Sequence, residues 1–468
     1  MHHSTYNAAF SGIIGIARED ITPPAGIYAG NWGAARFDTA KGIHRPLMLT
    51  CSTFADNADT AGDDAYIAGN NAKPLVLIAA DLGWWKSSAD EQILRKRILK
   101  EVQLDESRLM ICLSHTHAGP SLFTEDIAKP GGRFIAPYLE FIGEKAVAAI
   151  RKALSTASPC TLSWDYGKCN LAANRDLPEE SSERLLVGFN PGQPADDTLL
   201  VGRLTNKAGE ITGTIVNYAC HPTTLAWDNE LISPDFIGSM RELVESYTGS
   251  PCLFLQGASG ELAPREQYSG DCSLADRYGR QLGHAVLSAL EGMFSADAQL
   301  IFSRTVESGA PLAVWKEKIR QPSTILRVEM IAVELALKPL PSLNEIEKQL
   351  LTCADPVQKE RLWRLRGVRK TVGEGSVTPM PMWIWRLGDA CLVGQPNEAY
   401  SCFQQELRRE LAPKPVAVMN IVNGHAGYLP PRHLYDQNIY SVWQTPFSPG
   451  GLEHLTETAV AAAAEIMK

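Results

Sequence analysis

Short, almost wholly apolar runs alternate along this chain with longer stretches whose apolar residues recur at helical spacing. Pro74-Leu-Val-Leu-Ile-Ala-Ala80 and Arg108-Leu-Met-Ile-Cys-Leu113 lack the apolar/polar alternation of a half-exposed strand, so each reads as a strand buried on both faces. Helices are predicted after them, near Ala89 to Val102 and Ala136 to Leu154. The pattern repeats with a strand over Ile211 to Cys220, a helix near Asp235 to Tyr247, the strand Pro251 to Leu255 and a long helix from Leu274 to Met293. Thr324 to Leu337 reads as one long alternating strand, and Leu343 to Thr371 as a charged helical stretch. Strand-helix alternation returns from Pro381, through Met382 to Arg386, Ala390 to Gly394, a helix from Glu398 to Leu411, the strand Pro415 to Val422 and a closing helix from Glu453 to Met467. Such an order predicts the α/β class, with mixed sheets and packed helices. The expected organisation is one large catalytic domain, residues 1–468, with an inserted or packed subdomain around 300–375.

Charge narrows the partners. Forty-four Lys and Arg against 53 Asp and Glu leave a net charge of -9 without a basic block, which argues against a nucleic-acid surface. No apolar stretch approaches the roughly 20 residues of a membrane span, and the amino terminus lacks the pattern of a secretory signal, so a cytoplasmic protein is expected. Oligomeric state is left open. The ten cysteines sit mostly in apolar runs with no Cys-x-x-Cys spacing, so they read as reduced, buried thiols. Any metal is then expected on nitrogen and oxygen ligands.

Candidate chemistry gathers where predicted strands end. Leu113-Ser-His-Thr-His-Ala-Gly-Pro120 places His115 and His117 at the carboxyl end of a strand, where a period of two would aim both rings the same way and where open α/β sheets bind ligands. His221-Pro-Thr223 follows a second apolar run, and the proline biases the histidine toward an extended conformation. Each histidine taken singly also fits a structural role. Glu398 follows the strand Ala390 to Val393, where it suits either a helix N-terminus or an oxygen ligand. The strand Pro415 to Val422 runs into Asn423-Gly-His-Ala-Gly-Tyr428, whose tyrosine either packs or faces a metal. The glycine-rich Gln256-Gly-Ala-Ser-Gly-Glu261 is expected to turn its N–H groups into an anion-binding concavity. It does not make Ser259 a hydrolase nucleophile, because Glu261 stands where Gly-x-Ser-x-Gly needs glycine. Nucleotide-binding glycine motifs are missing after every predicted strand.

Several separated motifs together resemble the neutral (non-lysosomal) ceramidases and their bacterial relatives. They are Ile16-Ala-Arg-Glu-Asp-Ile-Thr-Pro-Pro24, Gly42-Ile-His44, Ala80-Asp-Leu-Gly83, Ser114-His-Thr-His-Ala-Gly-Pro120, His221-Pro-Thr223, Ile232-Ser-Pro-Asp235 and Gln256-Gly-Ala-Ser-Gly-Glu-Leu-Ala-Pro264, in that family's order. The resemblance implies a catalytic zinc (Zn2+) held by His115, His221, Glu398 and Tyr428, with His117 acting on the substrate beside it. Three departures accompany it: Ala263 stands where the family has a serine, the chain ends without the family's carboxyl-terminal immunoglobulin-like domain, and no secretory signal is visible. The expected activity is zinc-dependent hydrolysis of an amide-type bond in a small-molecule or lipid-like N-acyl amide, a compact amide being favoured over ceramide. A metal-dependent isomerase or lyase acting on a small polar substrate, and a noncatalytic binding protein on a hydrolase scaffold, are the other readings. Trp84, Trp85, Trp315, Trp383 and Trp385 are candidate aromatic walls for an acyl chain.

Overall fold

A computed structural model describes residues 4–56 and 73–468. Two β-sheets lie face to face, and helices cover both outer faces. The larger sheet has eight strands in the order Cys252–Gln256, Ile211–Tyr218, Thr198–Asn206, Ser158–Lys168, Ala8–Asp20, Met48–Ala55, Leu75–Ala80 and Leu109–Leu113. Its five inner pairings are antiparallel, and only the outermost pair at each end is parallel. The second sheet, Leu326–Ala336, Val377–Leu387, Ala390–Gly394 and Val416–Met419, is antiparallel except for its last pair.

Burial on both faces explains the uninterrupted apolar runs. Leu75, Leu77 and Ala79 point into the layer between the sheets, while Val76, Ile78 and Ala80 face the helices Ser88–Val102 and Ile135–Ser155. The inter-sheet layer is aromatic and dry: Phe10, Phe54 and Trp164 meet Trp383 and Trp385, all 2% exposed or less. The last two indoles donate to the carbonyls of Glu106 (2.9 Å) and Ser107 (2.8 Å), so their polar atoms are satisfied while the rings fill the core. Helices Phe236–Thr248 and Cys272–Gly292 cover the other half of the large sheet, and Cys402–Leu411 with Gly451–Ile466 cover the second sheet.

Three local features differ from the pattern reading. The charged stretch after Leu343 is two helices, Leu343–Thr352 and Pro356–Val372, because Asp355 caps the second and Pro356 begins it. Glu398 does not start a helix. Glu398–Ala399 runs extended beside Tyr428–Leu429, with Glu398 N donating to Gly427 O (2.9 Å), and the helix begins four residues later at Cys402. Trp315 lies on an exposed hairpin, Ala298–Glu307 with Pro311–Ile319, against Phe302. All ten cysteines are free thiols. No helix among the described residues is long and apolar enough to cross a membrane.

Candidate metal centre

Each of the three parallel strand pairs within the two large sheets delivers its carboxyl ends to one place. Leu75–Ala80 and Leu109–Leu113 lead into Asp81 to Trp84 and Ser114 to His117. Ile211–Tyr218 and Cys252–Gln256 lead into His221 and the 257–261 loop, and Ala390–Gly394 with Val416–Met419 into Glu398 and Tyr428. Motif residues brace these turns. Asp81 forms a buried bidentate pair with Arg241 (2.6 and 2.7 Å), and Asp235 accepts from the N–H groups of Leu225 and Phe236, tying the segment after His221 to a helix start.

His115 and His117 are not aimed by strand alternation, since the strand stops at Leu113. His115 instead turns into the left-handed region at φ 67°, a conformation that costs a non-glycine residue about 1–3 kcal/mol. Its N–H to Leu82 O (2.9 Å) and its Nδ1 near Gly83 O (3.4 Å) hold it there. The His117 ring lies between Trp84 and Trp32, with centroids 4.7 and 5.0 Å away. His221 is fully buried, with Nδ1 2.6 Å from Ser259 O and 3.2 Å from Leu262 O. The nitrogens of His115, His117 and His221 lie within 4.8 Å of one another.

Glu398 and Tyr428 close the site from the second sheet. Glu398 Oε2 is 3.0 Å from His221 Nε2 and 3.4 Å from His115 Nε2, while its Oε1 takes His425 Nε2 at 2.8 Å. The Tyr428 hydroxyl is 3.5 Å from His221 Nε2, and its ring is parallel to that imidazole. Sequence reasoning missed Arg175, whose buried Nη2 donates to Tyr428 Oη (2.9 Å) and Gly260 O (2.7 Å) and lies 3.4 Å from His221 Nε2. Nothing around Arg175 in the sequence marks it. His425 had the same signal as the other histidines, a position just past a buried strand.

This donor set fits a cation. His221 has one proton to place if neutral, and both ring nitrogens face acceptors: Ser259 O at 2.6 Å and Glu398 Oε2 at 3.0 Å. The shorter contact takes the proton, leaving a nitrogen lone pair against a carboxylate. A second proton is not the remedy, because burial, and then the Arg175 guanidinium, push His221 down to about 3. Burial alone would raise the Glu398 carboxyl, but the His115, His221 and His425 rings outweigh it and hold that group well below its ordinary range. The buried Nε2 atoms of His115 and His117 likewise have no hydrogen-bond partner. A metal ion would satisfy the His115, His221 and Glu398 lone pairs together, and carbonyl-held Nδ1 atoms are how ligating imidazoles are usually oriented.

The glycine-rich loop serves this arrangement through carbonyls rather than as an anion cradle. Three of its N–H groups are taken internally, Gly257 by Tyr218 O, Ala258 by Gln404 Oε1 and Gly260 by Ala399 O, and the Ser259 hydroxyl accepts from Gln256. Glu261, deeper in the same loop, accepts from Ser401 N (2.9 and 3.0 Å) and Ser401 Oγ, and burial pushes it from 4.5 up to about 7. A raised carboxyl stabilises the fold below its unfolded value and loses that contribution as pH climbs through the folded one. Wild-type stability relative to Glu261→Gln is therefore expected to fall by about 3 kcal/mol between pH 4.5 and 8. Denaturant titrations of both proteins at the two pH values check this; parallel pH dependences would refute it.

A cavity of about 110 Å³ opens from the site, lined by Trp84, Trp85, Phe123, Trp363 and Tyr440 among others. Of the expected aromatic walls, Trp84 and Trp85 take that place. Trp383 and Trp385 belong to the inter-sheet core, and Trp315 is remote on its hairpin.

No family model matches the chain. The neutral ceramidase of Pseudomonas aeruginosa is 26% identical over 204 residues, which is 42% of this chain but only 30% of that protein. Among solved structures, a ceramidase complexed with C2 superposes with a TM-score of 0.69 at 18% identity, covering 97% of this chain and 75% of the other. The crystal structure of the Pseudomonas aeruginosa neutral ceramidase gives 0.68 at 18% identity, covering 98% and 75%. In sequence and in fold, the chain is neutral ceramidase-like.

Proposed function

We propose that this chain is a zinc-dependent hydrolase of an amide-type bond, with His115, His221, Glu398 and Tyr428 holding the ion and His117 serving the substrate. The observation that carries the reading is the contact at His221, whose buried neutral ring meets acceptors at both nitrogens. Resemblance to ceramidases supplies the amide bond. Zinc with an open position would supply a water of pKa near 7 and polarise the carbonyl, so no protein nucleophile is needed. That agrees with a loop in which the Ser259 hydroxyl is occupied by Gln256.

The side chains divide the remaining work. Ser259 O and Leu262 O fix the His221 tautomer, Gly83 O orients His115, and Arg175 fixes the Tyr428 hydroxyl. Burial, and then the neighbouring His115 and His221, lower His117 well below 6.5, so it enters the reaction neutral and able to take a proton. Its Nε2, free of protein partners, is the group placed to carry that proton to the leaving nitrogen or to support the developing oxyanion. Ligands come from both sheets, which supports reading residues 1–468 as one catalytic domain. A cavity of about 110 Å³ favours a smaller N-acyl amide over ceramide.

Purified protein is expected to contain about one zinc per chain, to lose amidase activity on chelation and to regain it with zinc. N-acyl amides of increasing chain length should turn over best when short or polar. Full activity in metal-free protein would end the zinc reading, and turnover rising steadily up to ceramide would end the substrate preference.

A further inference from the structure

Five charged side chains besides the proposed ligands line the cavity: Lys86, Lys129, Arg364, Asp126 and Glu360. Four of them are matched. Lys129 pairs with Asp126 (3.0 Å) and reaches Tyr28 Oη (2.9 Å), while Arg364 pairs with Glu360 (2.9 Å) and Tyr440 Oη (2.6 Å). Lys86 is the excess cation. Among the described residues its nearest carboxylate, Asp126 Oδ2, is 3.6 Å away, an ion-pair distance beyond hydrogen-bond range, and is already engaged by Ser121. An ammonium held in a lined cavity without a close acceptor is suited to an acceptor on the ligand.

The surroundings point the same way. The Pro356–Val372 helix forms one wall, and its charges are met elsewhere: the cavity-lining Arg364 pairs with Glu360, Arg366 with Glu125 and Glu347, and Lys370 with Glu125, which leaves Lys86 as the unmatched charge at the cavity. Gly367 presses this helix onto the Lys86 segment: a Cβ there would come within 2.7 Å of the Lys86 carbonyl.

We propose that Lys86 recognises a carboxylate on the substrate, so that the amide cleaved at this site carries a free anionic group. Resting on the amidase reading above, this inference narrows its substrate class. The carboxylate sits on the amine half, as in an N-acyl amino acid, or on the acyl half, as in the monoamide of a dicarboxylic acid.

Two matched pairs test it on the zinc-loaded enzyme. N-hexanoylglycine is compared with N-hexanoylethanolamine, and N-butylglutaramic acid with its methyl ester, using wild type, Lys86→Met and Lys86→Arg. In one pair the wild-type kcat/KM should favour the carboxylate about tenfold or more, as charge-assisted recognition predicts. That preference should collapse to about twofold or less in Lys86→Met and return in Lys86→Arg, chiefly through KM. The pair that shows it identifies the half of the substrate that bears the charge. Equal treatment of charged and neutral amides by wild type, or a preference that survives Lys86→Met, overturns the proposal. Calorimetric binding of uncleavable hexyloxyacetate against 2-hexyloxyethanol separates the two readings. If wild type hydrolyses no amide yet binds the acid about tenfold tighter in a Lys86-dependent way, the amidase reading fails and the anion subsite stands.

Discussion

Alanine at His221 is expected to abolish metal binding and turnover together. This ring is fully buried, its proton is committed to Ser259 O, and its free nitrogen meets the Glu398 carboxylate at 3.0 Å. Truncation removes one donor from a small set and leaves Glu398 with His115, His425 and Tyr428. Zinc content should fall from about one per chain to near zero. The loss in kcat/KM should exceed the roughly 10–100-fold typical when a residue that merely supports a ligand is lost. His115→Ala should behave alike. Elemental analysis beside steady-state kinetics decides the matter, and a His221→Ala protein that retains full zinc would remove this histidine from the ligand set.

His117→Ala has a different expected signature: the metal stays and turnover drops by about 10²–10⁴-fold, the range for losing a positioned acid or base. The distinction comes from what holds each ring. Backbone carbonyls lie at Nδ1 of His115 and His221, whereas His117 is held by the faces of two tryptophans. Its nitrogen nevertheless lies within 4.8 Å of the other two. Zinc lost from His117→Ala as completely as from His115→Ala would make the set a three-histidine one and end the assignment of His117 as the proton carrier.

The apolar runs foretold the central strands because helices and a second sheet bury both of their faces, and the strand-end rule picked out His115, His117 and His221. Those three residues do come together in the fold, though not through strand alternation. A left-handed backbone at His115, which periodicity does not encode, brings the first two rings together. Glu398 was read as opening a helix, whose positive end an acidic residue favours, or as an oxygen ligand. Pairing with Tyr428–Leu429, thirty positions along the chain, keeps it extended instead. Trp84 and Trp383 are alike in local sequence, each beside another aromatic or apolar residue. Only the docking of the two sheets puts one in a cavity and the other in the core. Arg175 and Lys86 were illegible for the same reason: the groups around them, Gly260 and Tyr428 for the first and the cavity walls for the second, come from segments far away in the chain.

The two sheets meet across a layer of packed rings, and the proposed ligands straddle that seam, His115 and His221 on one side, Glu398 and Tyr428 on the other. An ion gripped from both sides is a clasp as well as a reagent. The larger sheet alone carries His115, His117 and His221 but neither Glu398 nor Tyr428, so a zinc held by the four proposed ligands would favour the docked state by mass action, by up to about 4 kcal/mol when free zinc is a thousand times its dissociation constant. Scarcity of zinc would then cost the protein its lifetime in the cell along with its activity, and the supply of one ion would set how much of this chain persists.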